Sequence, residues 1–170
     1  MLNRKSEKLL TLCITEHKEN VYRLAYSYVK NKEDALDIVQ DSIYKAMTNI
    51  EQLKDPEAVK SWFFRIVVNT ALDSLRRKKI VHLVDQEIIE TYAPGAEDVY
   101  ADLDLQRTLD ALPVKYRNVI VLRYFEDMKI EEVADVLAEN VNTIKTRLYQ
   151  ALQLLRMKMK DDLVKGERTN

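Results

Sequence analysis

The sequence predicts an all-α protein: two small helical domains joined by an acidic flexible linker, the second containing a helix-turn-helix. Three observations predict it. Helix breakers are scarce, since 170 residues hold two glycines, Gly95 and Gly166, and three prolines. Leu, Ala, Lys and Glu, which lose little side-chain freedom in a helix, are abundant. Apolar residues recur at three- and four-residue spacing over long stretches, as one face of a 3.6-residue helix requires. That periodicity fails between Ile80 and Ala101, where IVHLVDQEIIETYAPGAEDVYA holds the Pro-Gly pair. The chain therefore divides into a domain over 1–79, a linker over 80–101 and a domain over 102–170.

The first domain reads as three helices. Lys8–Tyr28 carries Leu9, Leu12, Cys13, Val21, Leu24 and Ala25 on its apolar side, with an irregularity around His17–Asn20. After a turn at Val29–Lys32, a helix from Glu33 to Ile50 buries Ala35, Val39, Ile43, Ala46 and Ile50. Asp55-Pro56-Glu57 reads as a helix start, because proline suits the first helical position, where no N–H is needed. The third helix, Lys60–Lys79, packs Phe63, Phe64, Val67, Val68, Ala71, Leu72 and Leu75 inward. The second domain reads as helices at Asp102–Leu112, Val114–Phe125, Ile130–Leu137 and Val141–Met159. Pro113 would stand at the first position of its helix, Asn140 would cap the last helix, and the polar tail from Lys160 would fray.

Charge is segregated beneath a net value of −1. Residues 1–79 carry 15 Lys/Arg against 11 Asp/Glu, residues 80–106 carry seven acids and no Lys or Arg, and residues 107–170 carry 12 against 10. Two mildly basic blocks about an acidic connector suit a nucleic-acid-contacting protein with a self-shielding linker. The single cysteine, Cys13, excludes an internal disulfide and reads as a small core residue in a reducing compartment. Neither a signal peptide nor a run of about 18 apolar residues is present, so a soluble cytoplasmic protein without membrane insertion is expected. His17 and His82 form no metal-ligand cluster with Cys13, glycines are too isolated for a phosphate loop, and no nucleophile stands beside a base. Neither a metal, a cofactor nor a catalytic residue is expected.

The most specific signal is IEEVADVLAENVNTIKTRLYQALQLLR, residues 130–156. Two amphipathic helices joined by a tight break have the layout in which the second helix enters the DNA major groove. Val133, Val136, Leu137, Ile144, Leu148, Ala151 and Leu155 form its apolar stripe, and Ala134 and Ala138 are small where the helices approach. At about 100° per residue, the opposite face carries Asn142, Lys145, Thr146, Tyr149, Gln150 and Gln153. These are hydrogen-bonding groups suited to base edges and phosphates; a solvated face in a bundle would hold similar residues. On the helix Ser61–Lys79, the arc away from the core carries Trp62, Arg65, Ile66, Asn69, Asp73 and Arg76. A tryptophan beside arginine and asparagine makes a stacking platform for unpaired bases, or else Trp62 plugs a gap against a neighbouring loop. The helix Glu33–Ile50 turns Asp37, Gln40, Asp41, Tyr44, Lys45 and Thr48 outward. Its early acids suit the positive end of the helix dipole, or a basic protein partner.

Taken together, YRLAYSYVKNKEDALDIVQDSIYKA and VKSWFFRIVVNTALDSLRRKK, followed by LDALPVKYRNVIVLRYFEDMKIEEVADVLAENVNTIKTRLYQALQLLR, resemble the extracytoplasmic-function sigma factors of the sigma-70 family. The resemblance covers roughly 20–79 and 102–158. ALDIVQDSI and VNTIKTRLYQAL are similar to the sigma-V subgroup of Bacillus-type bacteria.

The resemblance implies a non-catalytic specificity subunit of RNA polymerase, which initiates transcription at promoters with −35 and −10 elements. It implies that Asp37, Gln40 and Asp41 dock on the β′ clamp helices of core polymerase. Trp62, Arg65, Asn69 and Arg76, with the loop Glu51–Lys60, would capture the melted −10 strand. Asn142, Lys145, Thr146, Tyr149 and Gln150 would read the −35 duplex, with Arg147 and Arg156 on phosphates. The implied partners are core RNA polymerase (β′ clamp helices and β flap), promoter DNA and an anti-sigma factor, usually membrane-anchored. The implied place is the cytoplasm, with the chain on the nucleoid in holoenzyme or held at the membrane by that regulator. The linker would thread toward the polymerase active site and RNA exit path.

Three positions depart from the family's pattern: Ala138 and Glu139 replace a glycine and an apolar residue in the break, Gln150 and Gln153 replace commonly basic residues, and Lys129 replaces a Ser or Thr cap. Two readings from the residues alone stand beside the resemblance: a stand-alone helix-turn-helix regulator, expected to dimerise on an operator, and a helical adaptor indifferent to Lys145 and Trp62.

Overall fold

The computed structural model describes residues 2–84 and 103–167, all helix, turn or loop with no strand among them. The acidic segment from 85 to 102 lies outside the described residues. In the first domain α1 spans Leu2–Val29, α2 Lys32–Thr48 and α3 Val59–Val84, with single 3-10 turns at Ile50–Gln52 and Pro56–Ala58. In the second, α4 spans Leu103–Asp110, α5 Val114–Ile120, α6 Ile130–Leu137 and α7 Val141–Glu167.

Local chemistry sets the boundaries. Lys30 enters the left-handed region (φ 51°) and ends α1, its N–H reaching Tyr26 O at 2.7 Å. Asn31 then starts α2 by accepting from the Asp34 N–H at 3.1 Å. Asp55 accepts from the Glu57 N–H at 3.0 Å, and Pro56 follows it, so the expected start signal holds one turn ahead of α3. Pro113 stands just outside α5 as its N-cap rather than at its first position.

Several expectations are corrected. The α1 helix runs unbroken through His17–Asn20, and its inward side carries Leu10 in place of Leu12, which is 57% exposed. On α2 the fully buried positions are Ala35, Ile38, Ser42 and Ala46, with Val39 and Ile43 on the margin. The α3 backbone stays helical to Val84, past the expected boundary at Lys79. The last helix continues to Glu167 instead of fraying from Lys160. The expected helix Val114–Phe125 is α-helical only to Ile120. Beyond it the backbone widens into a π turn, with the Glu126 N–H bonded to Val121 O at 3.0 Å. The wider turn buries Leu122 fully and leaves Tyr124 and Phe125 about half exposed.

The main core joins Leu24, Ala25, Phe63, Phe64, Val67 and Val68 of the first domain to Val119, Leu122, Met128, Val133, Val136 and Ile144 of the second. Phe63 and Phe64 meet edge to face with centroids 6.4 Å apart. Each buried side chain of this size contributes about 1.5–3 kcal/mol relative to leaving it exposed. A satellite core of Leu109, Leu112, Ile120 and Ala151 fastens α4 and α5 to α7. The helical domains thus sit directly against each other, α6 on α3 and α5 on α1.

Candidate nucleic-acid and polymerase interfaces

The break between α6 and α7 is built from three residues. Ala138 adopts φ 53°, ψ 44°, the left-handed conformation a glycine would take without steric cost. The Glu139 N–H then bonds Ala134 O at 3.0 Å, closing α6. Asn140 caps α7 by accepting from the Thr143 N–H at 2.8 Å, as its side chain suggests. At the other end of α6, Glu132 accepts from the Lys129 N–H at 2.7 Å, so the terminus is satisfied without a Ser or Thr cap. Ala134 is buried as expected; Ala138 is exposed, so its smallness serves no close helix approach and its strained backbone is the relevant feature.

This geometry turns the polar face of α7 to solvent. Asn142, Lys145, Thr146, Tyr149 and Gln150 are all exposed, as are Gln153 and Arg156. Tyr149 is 65% exposed and its hydroxyl accepts from Gln153 Nε2 at 3.1 Å. Gln150 Oε1 accepts from the Tyr116 hydroxyl at 3.2 Å, which ties this side chain to α5. Arg147 is held by Glu139 at 2.7 Å, so the guanidinium bridges helix and turn rather than reaching outward. No sequence period signals that pair, because the turn between its members sets the distance.

On α2, Asp37 and Gln40 are exposed, whereas Asp41 is half-buried and paired with Lys45 at 3.3 Å. Lys45 also donates to Thr70 Oγ1 of α3 at 3.2 Å, and Asp34 pairs with Lys78. The acidic face is therefore partly neutralised from α3, leaving Asp37 as its most accessible charge. Leu36, Tyr44 and Met47 lie exposed beside it.

On α3, Arg65 and Asn69 are exposed, and Arg76 pairs with Asp73 at 3.2 Å. Trp62 is placed differently from an open stacking platform. It is half-buried against the main core, as is Ile66. The helical wheel puts both on the polar arc because it knows only their own helix; the covering partners come from the rest of the fold.

Several buried groups were not singled out by sequence. Arg117 is 1% exposed; its Nη2 donates to Ser27 O of α1 and its Nη1 to Asp110 O at 3.1 Å. Burial pushes its pKa down, opposed by Asp110 and Tyr28. Glu126 is 3% exposed, and burial pushes its carboxyl up against the pull of Lys60, an Asn20 hydrogen bond and Arg23. Burial also raises the Tyr28 hydroxyl, opposed by Asn118 and Arg117. Arg and Glu in an amphipathic sequence read as surface residues, so nothing in the sequence marks these two. Cys13 is buried, its thiol pushed up to about 11 by desolvation. Among the described residues no group of His, Cys, Asp and Glu is arranged to hold a metal, and no helix is long and apolar enough to cross a membrane.

Two helical domains, one with an exposed recognition helix behind a capped turn and one with an acidic and a basic-aromatic helix, define a transcription-initiation type of architecture. Sequence comparison agrees. Residues 13–80 match the family model for sigma-70 region 2, and residues 102–155 match that for sigma-70 region 4. The chain is 53% identical over 159 residues to the RNA polymerase sigma factor SigV of Bacillus subtilis (strain 168), covering 93% of this chain and 96% of that protein. It is 31% identical to the extracytoplasmic-function sigma factor SigW of the same organism, covering 85% and 86%. The fold matches that of the sigma factor RpoE in complex with the anti-sigma factor NepR from Bartonella quintana (TM-score 0.73, 24% identity, 91% and 96% covered). It also matches CnrH in complex with the cytosolic domain of CnrY (TM-score 0.67, 23% identity, 94% and 97% covered).

The chain belongs to the sigma-70 family, in its extracytoplasmic-function group, and is SigV-like. It is an alternative sigma factor, a non-catalytic specificity subunit that directs core RNA polymerase to promoters.

Proposed function

We propose that three faces divide the work of initiation, within a first domain of α1–α3 and a second of α4–α7. Asp37, with Gln40 and Asp41, docks on the β′ clamp helices of core polymerase, the exposed carboxylate meeting basic groups of the partner. Arg65, Asn69 and Arg76 hold the phosphates and bases of the melted −10 strand, with Trp62 stacking once it is uncovered. Asn142, Lys145, Thr146, Tyr149 and Gln150 read the −35 duplex, with Arg156 on the phosphates and Arg147 joining if released from Glu139. The second domain also meets the β flap. The observation that carries this reading is the exposed polar face of α7 directly behind the Asn140-capped turn. An N-terminal stretch of a recognition helix is what reaches base edges in such motifs.

An anti-sigma factor, membrane-anchored, controls the chain. It would keep a cytoplasmic protein at the membrane until induction and release it to polymerase on the nucleoid. The fold shared with two sigma factors solved with such regulators supports this.

In-vitro transcription from a genomic fragment library, with core polymerase and with or without this protein, tests the assignment. New start sites sharing spaced −35 and −10 sequences are expected. Lys145→Ala should lower output from duplex promoters about ten-fold, for loss of about 1–3 kcal/mol of base or phosphate contact. It should spare templates with a preopened −10 bubble and no −35 element. Equal losses on both templates would overturn the recognition-helix assignment.

A further inference from the structure

The seam between the two domains has a mixed character. Its centre is apolar and continuous, since one buried cluster contains Phe64 and Val67 from α3 together with Leu122, Met128 and Val133 from the second domain. Around it, polar bonds cross from one domain to the other: Arg117 Nη2 to Ser27 O, Ser27 Oγ to Asn118 Oδ1 at 3.3 Å, Lys60 Nζ to Glu126 O at 2.6 Å and Lys30 Nζ to Asp110 O at 3.0 Å. Yet two ionisable side chains are sealed there incompletely. Arg117 Nε and Glu126 Oε2 are buried without a hydrogen-bond partner among the described residues. They flank a cleft of about 280 Å³ between α1 and the second domain. Buried charged groups with unmet hydrogen bonds weaken a packed interface while making its geometry specific. On separation both groups would hydrate, which offsets part of the apolar area re-exposed.

The closed seam also conflicts with promoter binding. Elements centred about 25 base pairs apart lie roughly 85 Å apart at 3.4 Å per step of a duplex. Here α3 packs on α6 and α6 on α7, and packed helix axes lie only about 8–10 Å apart. The two DNA faces therefore cannot reach both elements together, and Trp62 is covered.

We propose that the free chain rests in this closed form as an autoinhibitory contact, with Arg117 and Glu126 setting how readily it opens. Core polymerase then has to separate the domains, and no regulator is needed for the resting block. The conflict with the promoter rests on the assignment of α3 and α7 above; the closure itself does not.

Trp62 is the chain's one tryptophan, so acrylamide quenching of its fluorescence in the full-length protein reports the seam without labels. Ser27→Lys sets a cation against Arg117 but would lie harmlessly on the surface of α1 once the domains part. Quenching should rise about two-fold in that variant, with a larger radius of gyration by X-ray scattering and unchanged helicity. Glu126→Gln removes the buried charge at constant shape, and should lower quenching below wild type and raise the core polymerase concentration needed for half-maximal transcription. Equal quenching and equal radius in wild type and Ser27→Lys, with helicity intact, would show that the domains are not docked in solution. Increased quenching in Glu126→Gln would overturn the role of Glu126 by showing that its charge holds the seam. Neither optical nor scattering measurement uses DNA, so they stand apart from any failure of the promoter assignment.

Discussion

Ala138 holds the turn of the helix-turn-helix in a conformation its side chain resists. At φ 53°, ψ 44° the Cβ crowds the backbone carbonyl, a clash that costs an L-residue about 1–2 kcal/mol and glycine nothing. Replacing it with glycine removes that strain but gives the unfolded chain more conformations, which returns about 0.5–1 kcal/mol. The methyl group is exposed, so little packing is lost. The balance is a gain of roughly 0.5–1 kcal/mol for Ala138→Gly, or about 1–4 °C in Tm for a chain of this size. Thermal unfolding by circular dichroism and urea titration with an unchanged slope would measure it. Transcription should stay at wild-type level, because the bonds Glu139 N–H to Ala134 O and Thr143 N–H to Asn140 Oδ1 keep the same geometry. A loss of stability would refute the reasoning and mean that the Ala138 methyl makes a contact worth more than its strain.

Other outcomes follow from the same geometry. Asp37→Arg with Asp41→Arg should abolish core polymerase binding in a pull-down, with the melting curve shifted by less than about 1 kcal/mol because both side chains face solvent at least in part and the Lys45 pair is screened; unchanged binding would remove the docking face. Glu139→Ala should cost about 0.5 kcal/mol of stability, discounted because both partners of the Arg147 pair are a quarter to a third exposed. It should also steepen the salt dependence of holoenzyme binding to promoters by about one ion, as Arg147 turns to phosphate; a flat response would show that Arg147 stays with the protein. The Cys13 thiol, pushed up to about 11 from 9.0 by burial, should resist thiol reagents at pH 8 until urea unfolds the chain. Its raised folded-state value means stability is full below pH 9 and declines as pH climbs toward 11. Rapid modification of the native protein would place Cys13 outside the core.

The sequence by itself determined the helical class, the two blocks, the recognition helix and its cap at Asn140, because these depend on neighbours three or four residues apart and on capping chemistry. The exposure of Asn142, Lys145, Thr146 and Tyr149 was legible for the same reason. Family membership was legible too, in long stretches of ordered motif. What only tertiary structure decided concerns groups brought together across the chain. Trp62 looked outward on its own wheel and is covered in the fold; Leu12 looked inward and is exposed; the end of α7 looked like a fraying tail and stays helical. Arg117 and Glu126 read as surface charges and are buried at the seam where α5 meets α1 and the turn after α5 meets α3. A helical period records which way a side chain points from its own axis. It does not record which second helix waits there, and the seam between the domains is made by that second helix.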